Sequence, residues 1–219
     1  MFCRFWNNST QPNFPAGRNK QMDKFVPFTS EFTARHIALS VPDAMLIALA
    51  IFIVLRLFCF KRMKASRTIL CGVFAAYIGA VAALTLFPII YAQFTFSAER
   101  FGYVWSTVKT LPFVWSVNMI QNGLLADNMQ TVFYNLGGNL IMLMPFGFLV
   151  PMIWHPRTPK MILLCILVPF CIELLQLVEN ALSIGYNDVS FDDFFLNATG
   201  CILAYLLYLG IRTAIKKGR

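Results

Sequence analysis

Long runs of apolar residues dominate the chain, and five of them approach the length of a helix that crosses a membrane. The runs lie at about residues 37–59, 69–92, 132–154, 161–178 and 194–211. A helix needs roughly 20 residues to span the hydrocarbon layer of a bilayer. The pattern therefore predicts an all-α fold, a polytopic membrane helix bundle with about five transmembrane helices.

Composition indicates the same class of protein. Of the 219 residues, 58% are hydrophobic and 13% are charged, which leaves too little polar surface to cover a soluble globule. The first 36 residues lack the short apolar core and small-residue cleavage site of a secretory signal. We therefore expect the first apolar run to be retained as a membrane anchor.

The apolar runs divide the chain into four parts. Residues 1–36 form a polar tail, rich in Asn, Pro, Ser and Gln, that we expect to be loosely ordered. Residues 37–68 hold the first membrane helix and a basic loop, and residues 69–211 form the main membrane domain. Residues 212–219 are a basic tail.

Basic residues beyond the N-terminal tail concentrate in three segments, which lie on one side of a membrane if every run crosses it. They are Lys61, Arg62, Lys64, Arg67, Arg157, Lys160, Arg212, Lys216, Lys217 and Arg219. Because cytoplasmic loops retain Lys and Arg, we expect a cell-membrane protein with its C-terminus in the cytoplasm and its N-terminus outside. Five basic residues within the N-terminal tail favour the opposite side for that tail.

The stretch from residue 93 to residue 131 separates the second and third runs and carries two basic residues, Arg100 and Lys109. It is rich in aromatic residues: Phe94, Phe96, Phe101, Tyr103, Trp105, Phe113 and Trp115. Aromatic side chains at that density are typical of a segment in the membrane interface. A lid over an outer-leaflet site is the alternative, and we favour the interfacial anchor.

Polar side chains interrupt the third run near its outer end. Asn135 and Asn139 are four positions apart, so they share one face of a helix. Their presence predicts a functional site on that face. The alternative is a packing helix whose Asn side chains pair with neighbouring helices.

The same run contains small and helix-breaking residues. Gly137 and Gly138 predict close approach of a neighbouring backbone. Pro145 and Pro151, with Gly147 between them, predict a kink or a break in the helix. The carbonyl groups freed there need partners inside the protein, because lipid offers none.

Glu173 is the most informative single residue of the fourth run. Gln176 and Asn180 follow it at spacings of three and four, so the three side chains share one polar face of an otherwise apolar helix. Glu173 lies a turn or more below the expected outer surface. An unpaired carboxylate there takes up a proton or needs a partner.

The fifth run begins with two aspartates and carries a stripe along one helix face. The stripe consists of Asp193, Asn197, Gly200 and Ala204. It is polar at the outer end and small further in, as in closely packed membrane helices. Asp192 lies at the positive end of the helix dipole, and we favour helix capping for it. Asp193 shares the stripe with Asn197, so we assign it to the site.

Because consecutive runs alternate in direction, these polar residues come out on the same side of the membrane. The candidate ligand-binding set is Asn135, Asn139, Glu173, Gln176, Asp192, Asp193 and Asn197. Such a cluster suits three kinds of chemistry: binding of a cation, binding of a polar headgroup, or acid and base catalysis by two carboxylates.

Known catalytic and metal-binding motifs are absent from the sequence. There is no GxSxG, HExxH, phosphate loop or dinucleotide fingerprint. No CxxC pair or His/Cys ligand spacing predicts a metal site, no cofactor is indicated, and we expect the six cysteines to be free, packed thiols. The net charge of +8 reflects the residues flanking the runs, which favours anionic lipid headgroups over nucleic acid as partners.

Several of these motifs occur in a characteristic order. An Asn-x-x-Gly-Asn string precedes PFGFLVP, then Glu173-x-x-Gln176, then DD-x-x-x-N-x-x-G from Asp192 to Gly200. Weaker matches upstream are Thr85-Leu86-Phe87-Pro88 and Asn118. The set, which covers about residues 69–210, resembles the VanZ-like family. The resemblance implies a small multi-span bacterial envelope protein, associated in its namesake with lowered susceptibility to the glycopeptide teicoplanin, and it implies no particular reaction.

The chain departs from the family pattern ahead of the two aspartates. Members often carry an Arg shortly before them and a further Asp two residues ahead of the pair, whereas residues 185–190 read GYNDVS here. Without that Arg the carboxylates are less neutralised, which favours a bound cation or proton.

Three hypotheses follow for the function. The first is a non-enzymatic envelope protein whose outer-leaflet polar pocket binds a lipid headgroup, a lipid-linked cell-wall precursor or a lipophilic antibiotic. The second is a membrane-embedded enzyme that modifies such a lipid, with Glu173 and Asp193 as acid and base. A proton- or cation-coupled carrier ranks last, because the sequence shows no repeats of interrupted helices. The sequence does not indicate an oligomeric state.

Overall fold

A computed structural model of the chain describes residues 36–59, 63–90, 96–185 and 187–218, so the predicted N-terminal tail lies almost wholly outside the described residues. The described chain is predominantly helical, which confirms the predicted all-α bundle. The helices are α1 (Val41–Phe58), α2 (Ala65–Leu86), α3 (Ala98–Thr107), α4 (Val114–Leu125), α5 (Met129–Val132), α6 (Gly138–Met142), α7 (Met144–Trp154), α8 (Thr158–Ala181) and α9 (Phe191–Lys217).

Short irregular elements join some of these helices. A π-helical turn at Phe133–Gly137 connects α5 to α6. Two strands of two residues each, β1 (His36–Ile37) and β2 (Ile89–Ile90), pair antiparallel. This pairing connects the chain before α1 to the chain after α2.

Five segments are long and apolar enough to cross a membrane, as the hydrophobic pattern predicts. They are Val41–Phe58, Ala65–Leu86, Met129–Trp154, Thr158–Ala181 and Phe191–Lys217. Many of their large apolar side chains face outward, among them Leu46, Phe58 and Ile69. Apolar outer surfaces of this kind are what a helix presents to lipid, and they support a multi-pass membrane protein.

The second span ends earlier than its hydrophobicity predicts. The apolar run continues to about residue 92, but α2 ends at Leu86. Phe87 is extended, with ψ at 152°, because a residue that precedes proline is disfavoured in the helical region. Pro88 therefore ends the helix inside an apolar run.

Helix α9 occupies the centre of the bundle. It packs against α6, α7 and α8, whereas α1 packs against α2 at the periphery. The buried core contains Val81, Leu143, Phe146, Val150, Met161, Cys165, Ile172, Cys201 and Tyr205. The cysteines of the described residues are free thiols, as predicted, but they differ in burial. Cys165 and Cys201 are buried, while Cys59 and Cys171 are exposed.

The break expected from the prolines lies between α6 and α7, around Leu143. Tyrosine hydroxyls provide hydrogen-bond donors at backbone carbonyls in this region. Tyr77 donates to the carbonyl oxygen of Met142 at 2.9 Å, and Tyr208 donates to that of Pro151 at 3.3 Å. Carbonyl groups in and beside the interrupted helix thus find partners on other helices, as the absence of water in lipid demands.

The glycines that permit close helix packing are not the pair expected from the sequence. A Cβ atom added at Gly137 or Gly138 would meet nothing within 4 Å, so the expectation for these two residues was wrong. The close approach occurs at Gly147, one turn into α7, and at Gly200, about a third of the way along α9. A Cβ atom at Gly147 would overlap the carbonyl oxygen of Cys201, and one at Gly200 would overlap that of Leu140.

Replacing Gly200 with alanine should separate α9 from α6 and destabilise the bundle by roughly 1–3 kcal/mol, the usual cost of overpacking a tight core. The measurement is the thermal unfolding midpoint of the purified protein in detergent. Gly138→Ala is the matched control, since its Cβ enters open space and alanine favours the helix by up to about 1 kcal/mol. Equal midpoints for the two variants would contradict the packing described for Gly200.

Candidate functional site

The polar residues of the last three spans meet around the first turn of α9. Ser190 caps this helix: its hydroxyl oxygen accepts from the backbone N–H of Asp192 at 3.1 Å. The N–H of Ser190 itself donates to Oε2 of Glu173 on α8 at 3.0 Å. In a capping box, a Glu within the same helix accepts that N–H. Here a carboxylate from a neighbouring helix serves the same purpose.

The loop between α3 and α4 is attached to the same point by backbone hydrogen bonds. The N–H of Lys109 donates to the carbonyl oxygen of Val189 at 3.1 Å, and its carbonyl oxygen accepts from the N–H of Phe191 at 3.0 Å. This parallel bridge lies on either side of Ser190. The loop before α4 and the start of α9 are therefore held together.

Asp192 caps a helix other than its own. Its carboxylate is fully buried and accepts from the N–H of Phe113, from the N–H of Ser116 at 2.8 Å and from the Ser116 hydroxyl at 2.7 Å. These groups belong to the first turn of α4. Capping is thus its role, but the expected target was the N-terminus of α9, which Ser190 serves. Phe113 has a positive φ of 65°, an unfavourable angle for a bulky residue that these contacts help to hold.

Asp193 lies between α9 and α6 and is only partly buried. It accepts a hydrogen bond from the side-chain amide of Asn139. One turn further along α9, Asn197 is 2% exposed, and its amide nitrogen donates to the backbone carbonyl of Asp193 at 2.9 Å. The side-chain oxygen of Asn197 is buried with no hydrogen-bond partner among the described residues. Such an atom is costly to leave unsatisfied, so it marks a place for a donor.

Lys109 adds a positive charge beside these carboxylates. Its ammonium group lies 2.7 Å from Oδ2 of Asp188 and 3.3 Å from the centre of the Trp115 ring. The backbone hydrogen bond from Phe191 to Lys109 places this residue at the start of α9, near Asp193 in the chain. The family's Arg ahead of the aspartates is missing from this sequence, and Lys109 supplies a cation from a different part of the chain.

Gln176 contributes to the end of α2. Its side-chain amide is buried and donates to the carbonyl oxygen of Thr85 at 3.0 Å, and the amide of Asn187 donates to the same oxygen at 2.8 Å. The last carbonyl groups of a helix lack partners within the helix. Asn180, one turn beyond Gln176, in turn holds Asn187 by donating to its backbone carbonyl at 2.6 Å.

Asn135 lies apart from the other candidate residues. Its side chain is exposed and its amide donates to the carbonyl oxygen of Thr131, within the same run of helix, at 2.8 Å. The π-helical turn around it changes the register, so the four-residue spacing to Asn139 is not a regular α-helical turn. The structure therefore unites Asn139, Asp193 and Asn197, and it joins Glu173 to them through Ser190.

The loop at residues 93–131 contacts this site, although its sequence did not predict these contacts. Its two basic residues both contact it: besides Lys109, Arg100 donates to the carbonyl oxygen of Asn180 at 3.2 Å, at the end of α8. The sequence offered one sign of this role: Arg100 and Lys109 are basic residues in a loop expected outside the membrane, where Lys and Arg are uncommon. The interfacial anchor formed by the aromatic residues stays a prediction. The same segment contributes the first turn of α4 to the candidate site, and a lid would need such a contact.

An apolar groove of about 470 Å³ runs between α7 and α9. Its lining residues are Met144, Pro145, Phe148, Leu149, Leu203, Ala204 and Leu207. Ala204 is two turns along α9 from Asn197, on the stripe that begins at Asp193. A polar group and an apolar groove therefore follow each other along α9, the first beside α6 and the second beside α7.

Asp192→Ala should release the start of α4, because two backbone N–H groups and one hydroxyl would lose their acceptor. We expect faster hydrogen exchange in peptides covering residues 109–117, with exchange in α8 unchanged. Asp127→Asn is the control, since Asp127 is exposed and its φ of 51° suits asparagine. Unchanged exchange in the 109–117 peptides would refute the capping role.

Comparison with known proteins agrees with the order of motifs. The model of the VanZ/LLP1 family matches residues 74–213, and no curated protein or solved structure matched the chain. The matched segment contains α7, α8, most of α9 and every residue of the candidate site. Since it covers more than half of the chain, this protein belongs to the VanZ/LLP1 family.

Proposed function

We propose that this protein is a non-enzymatic component of a bacterial cell envelope that alters susceptibility to teicoplanin. In this proposal the polar end of the bundle faces the outer leaflet and the C-terminus lies in the cytoplasm. There the protein binds an amphipathic ligand: a lipid headgroup, a lipid-linked cell-wall precursor or the lipophilic drug. Membership of the VanZ/LLP1 family supports the envelope context.

The observation that carries this proposal is a polar group followed along α9 by an apolar groove. Asp193 and the unpaired oxygen of Asn197 offer a charge and a hydrogen-bond acceptor, and Lys109 offers a cation. The groove between α7 and α9 offers about 470 Å³ of apolar space further along. A ligand with a polar head and an apolar chain matches both parts.

Binding is favoured over catalysis because most candidate residues already stabilise the fold. Glu173 accepts the N–H of Ser190, Gln176 donates to Thr85, and Asp192 caps α4. Groups committed in this way have little freedom to exchange protons with a substrate. Asp193 accepts a hydrogen bond from Asn139, and the side-chain oxygen of Asn197 has no partner within the described structure, so both residues keep acceptor capacity for a ligand.

Asp193→Asn and Glu173→Gln should both abolish the protection that the wild type confers on a Gram-positive host exposed to teicoplanin. Each change removes one negative charge while keeping an oxygen that accepts a hydrogen bond. The measurement is the minimal inhibitory concentration at matched membrane levels of protein. Asp127→Asn, which removes an exposed carboxylate that is not among the candidate site residues, should leave protection intact. Protection retained by both site variants would refute the proposed site.

The groove has its own test. Leu207→Trp should obstruct it and lower protection or ligand binding at least severalfold, because a bulky ring would occupy the apolar space. Leu206→Trp is the matched control: Leu206 is 55% exposed and Leu207 60%, but only Leu207 lines the groove. Equal behaviour of the two tryptophan variants would show that the groove takes no part.

A second candidate function is a membrane-embedded enzyme that modifies an envelope lipid. It is favoured by one observation: Glu173 accepts the N–H of Ser190, three residues before Asp193, so both carboxylates lie at the start of α9. Lipid extracts from cells with wild type and with Asp193→Asn should then differ in one headgroup species. Identical lipid profiles would exclude this candidate and leave the binding function as the proposal.

A further inference from the structure

A second cavity lies at the other end of the helices that form the candidate site. It has a volume of about 330 Å³ and lies between the end of α7, the turn at residues 155–157, the start of α8 and the last turns of α9. Small-molecule sites commonly fall between about 300 and 1,000 Å³. The cavity is therefore large enough for a charged headgroup of a few heavy atoms.

Two cationic side chains contribute to its lining. Arg157 and Arg212 come from different elements and both line the cavity, together with His155. Within the described part of the chain, neither arginine has a carboxylate oxygen within 4 Å. A planar guanidinium group binds phosphate through two parallel hydrogen bonds, so two unpaired arginines in one cavity suit a phosphate group.

A relay of hydroxyl groups adds neutral hydrogen-bond donors. Tyr205 donates its hydroxyl proton to Oγ1 of Thr158 at 3.1 Å, which leaves the proton of Thr158 for another acceptor. Both residues line the cavity. Thr158 is also the first residue of the 24-residue helix α8, whose start carries no side-chain cap and is the positive end of its dipole. The donors and the dipole both favour an anion.

The position of the cavity indicates which anion reaches it. It lies where two of the long apolar helices end, and Trp154, beside it, is 53% exposed. Exposed tryptophan at the end of a membrane span is typical of the headgroup level of a bilayer. A phosphate at this depth belongs most simply to a lipid.

We propose that this cavity binds the phosphate of an anionic lipid headgroup through Arg157, Arg212 and the hydroxyl of Thr158. The site is separate from the polar end of the bundle, and it requires neither the proposed function nor its ligand. The lipid would bridge the start of α8 and the last turns of α9, beside the end of α7.

The test uses the full-length protein in a neutral detergent, so that no charged membrane surface contributes. Phosphatidylglycerol and phosphatidylcholine are titrated separately, and native mass spectrometry measures the fraction of protein carrying one lipid. The wild type should bind phosphatidylglycerol at least about tenfold more tightly than phosphatidylcholine, as expected for charge-assisted hydrogen bonds. Equal affinity for the two lipids would overturn the proposal.

Arginine variants locate the site. Replacing Arg157 and Arg212 together with Gln should weaken phosphatidylglycerol binding at least about tenfold, whereas Lys216→Gln with Lys217→Gln should change it less than about twofold. The control pair removes the same charge from the same end of α9 but does not line the cavity. Equal losses in the two pairs, or no loss in the arginine pair, would refute the site.

Two further arms complete the test. Thr158→Val keeps the shape of the side chain and should cost about fivefold, the worth of one neutral hydrogen bond, even if the arginine pair folds poorly. Unchanged binding by this variant would remove Thr158 from the site.

Glycerol 3-phosphate should fail to displace the lipid at equal concentration. Displacement would assign the cavity to a soluble phosphate compound and overturn the proposal of a lipid ligand.

Discussion

The structure depends above all on satisfying the backbone polar groups at helix ends that lie in or beside lipid. An N–H or C=O group without a partner costs several kcal/mol where water is absent. Here the partners are side chains from other helices: Asp192 for the start of α4, Glu173 for the N–H of Ser190 and Gln176 for the carbonyl of Thr85. Polar residues within the apolar runs therefore link the helices of the bundle to one another.

This constraint changes how the candidate site is understood. A buried carboxylate in a membrane span suggests chemistry, yet Asp192 accepts three hydrogen bonds from the start of α4, and Glu173 accepts one from the start of α9. What remains for a ligand is a smaller set centred on Asp193 and the unpaired oxygen of Asn197. The site is therefore built on a rigid frame, since the residues around it are fixed by backbone hydrogen bonds.

The two ends of the bundle have opposite electrostatic character. One end gathers carboxylates and amides around the start of α9, with Lys109 as a cation beside them. The other end gathers Arg157, Arg212 and hydroxyl groups around the start of α8. Helix α9 contributes to both ends, and Gly147 and Gly200 let it pack closely against α7 and α6 between them.

The sequence alone determined the helix class, the five spans, the break near Pro145, the family and most of the polar residues at one end. These properties follow from hydrophobic runs, proline chemistry and spacing along a single helix, which are local in the chain. Tertiary structure alone decided which partners those residues take. Asp192 caps α4 and not α9, Gly147 and Gly200 rather than Gly137 and Gly138 admit a neighbouring backbone, and Lys109 pairs with Asp188. Each of these depends on residues more than 50 positions apart, or on a π-helical turn that shifts the register, and no periodicity within one segment encodes such a contact.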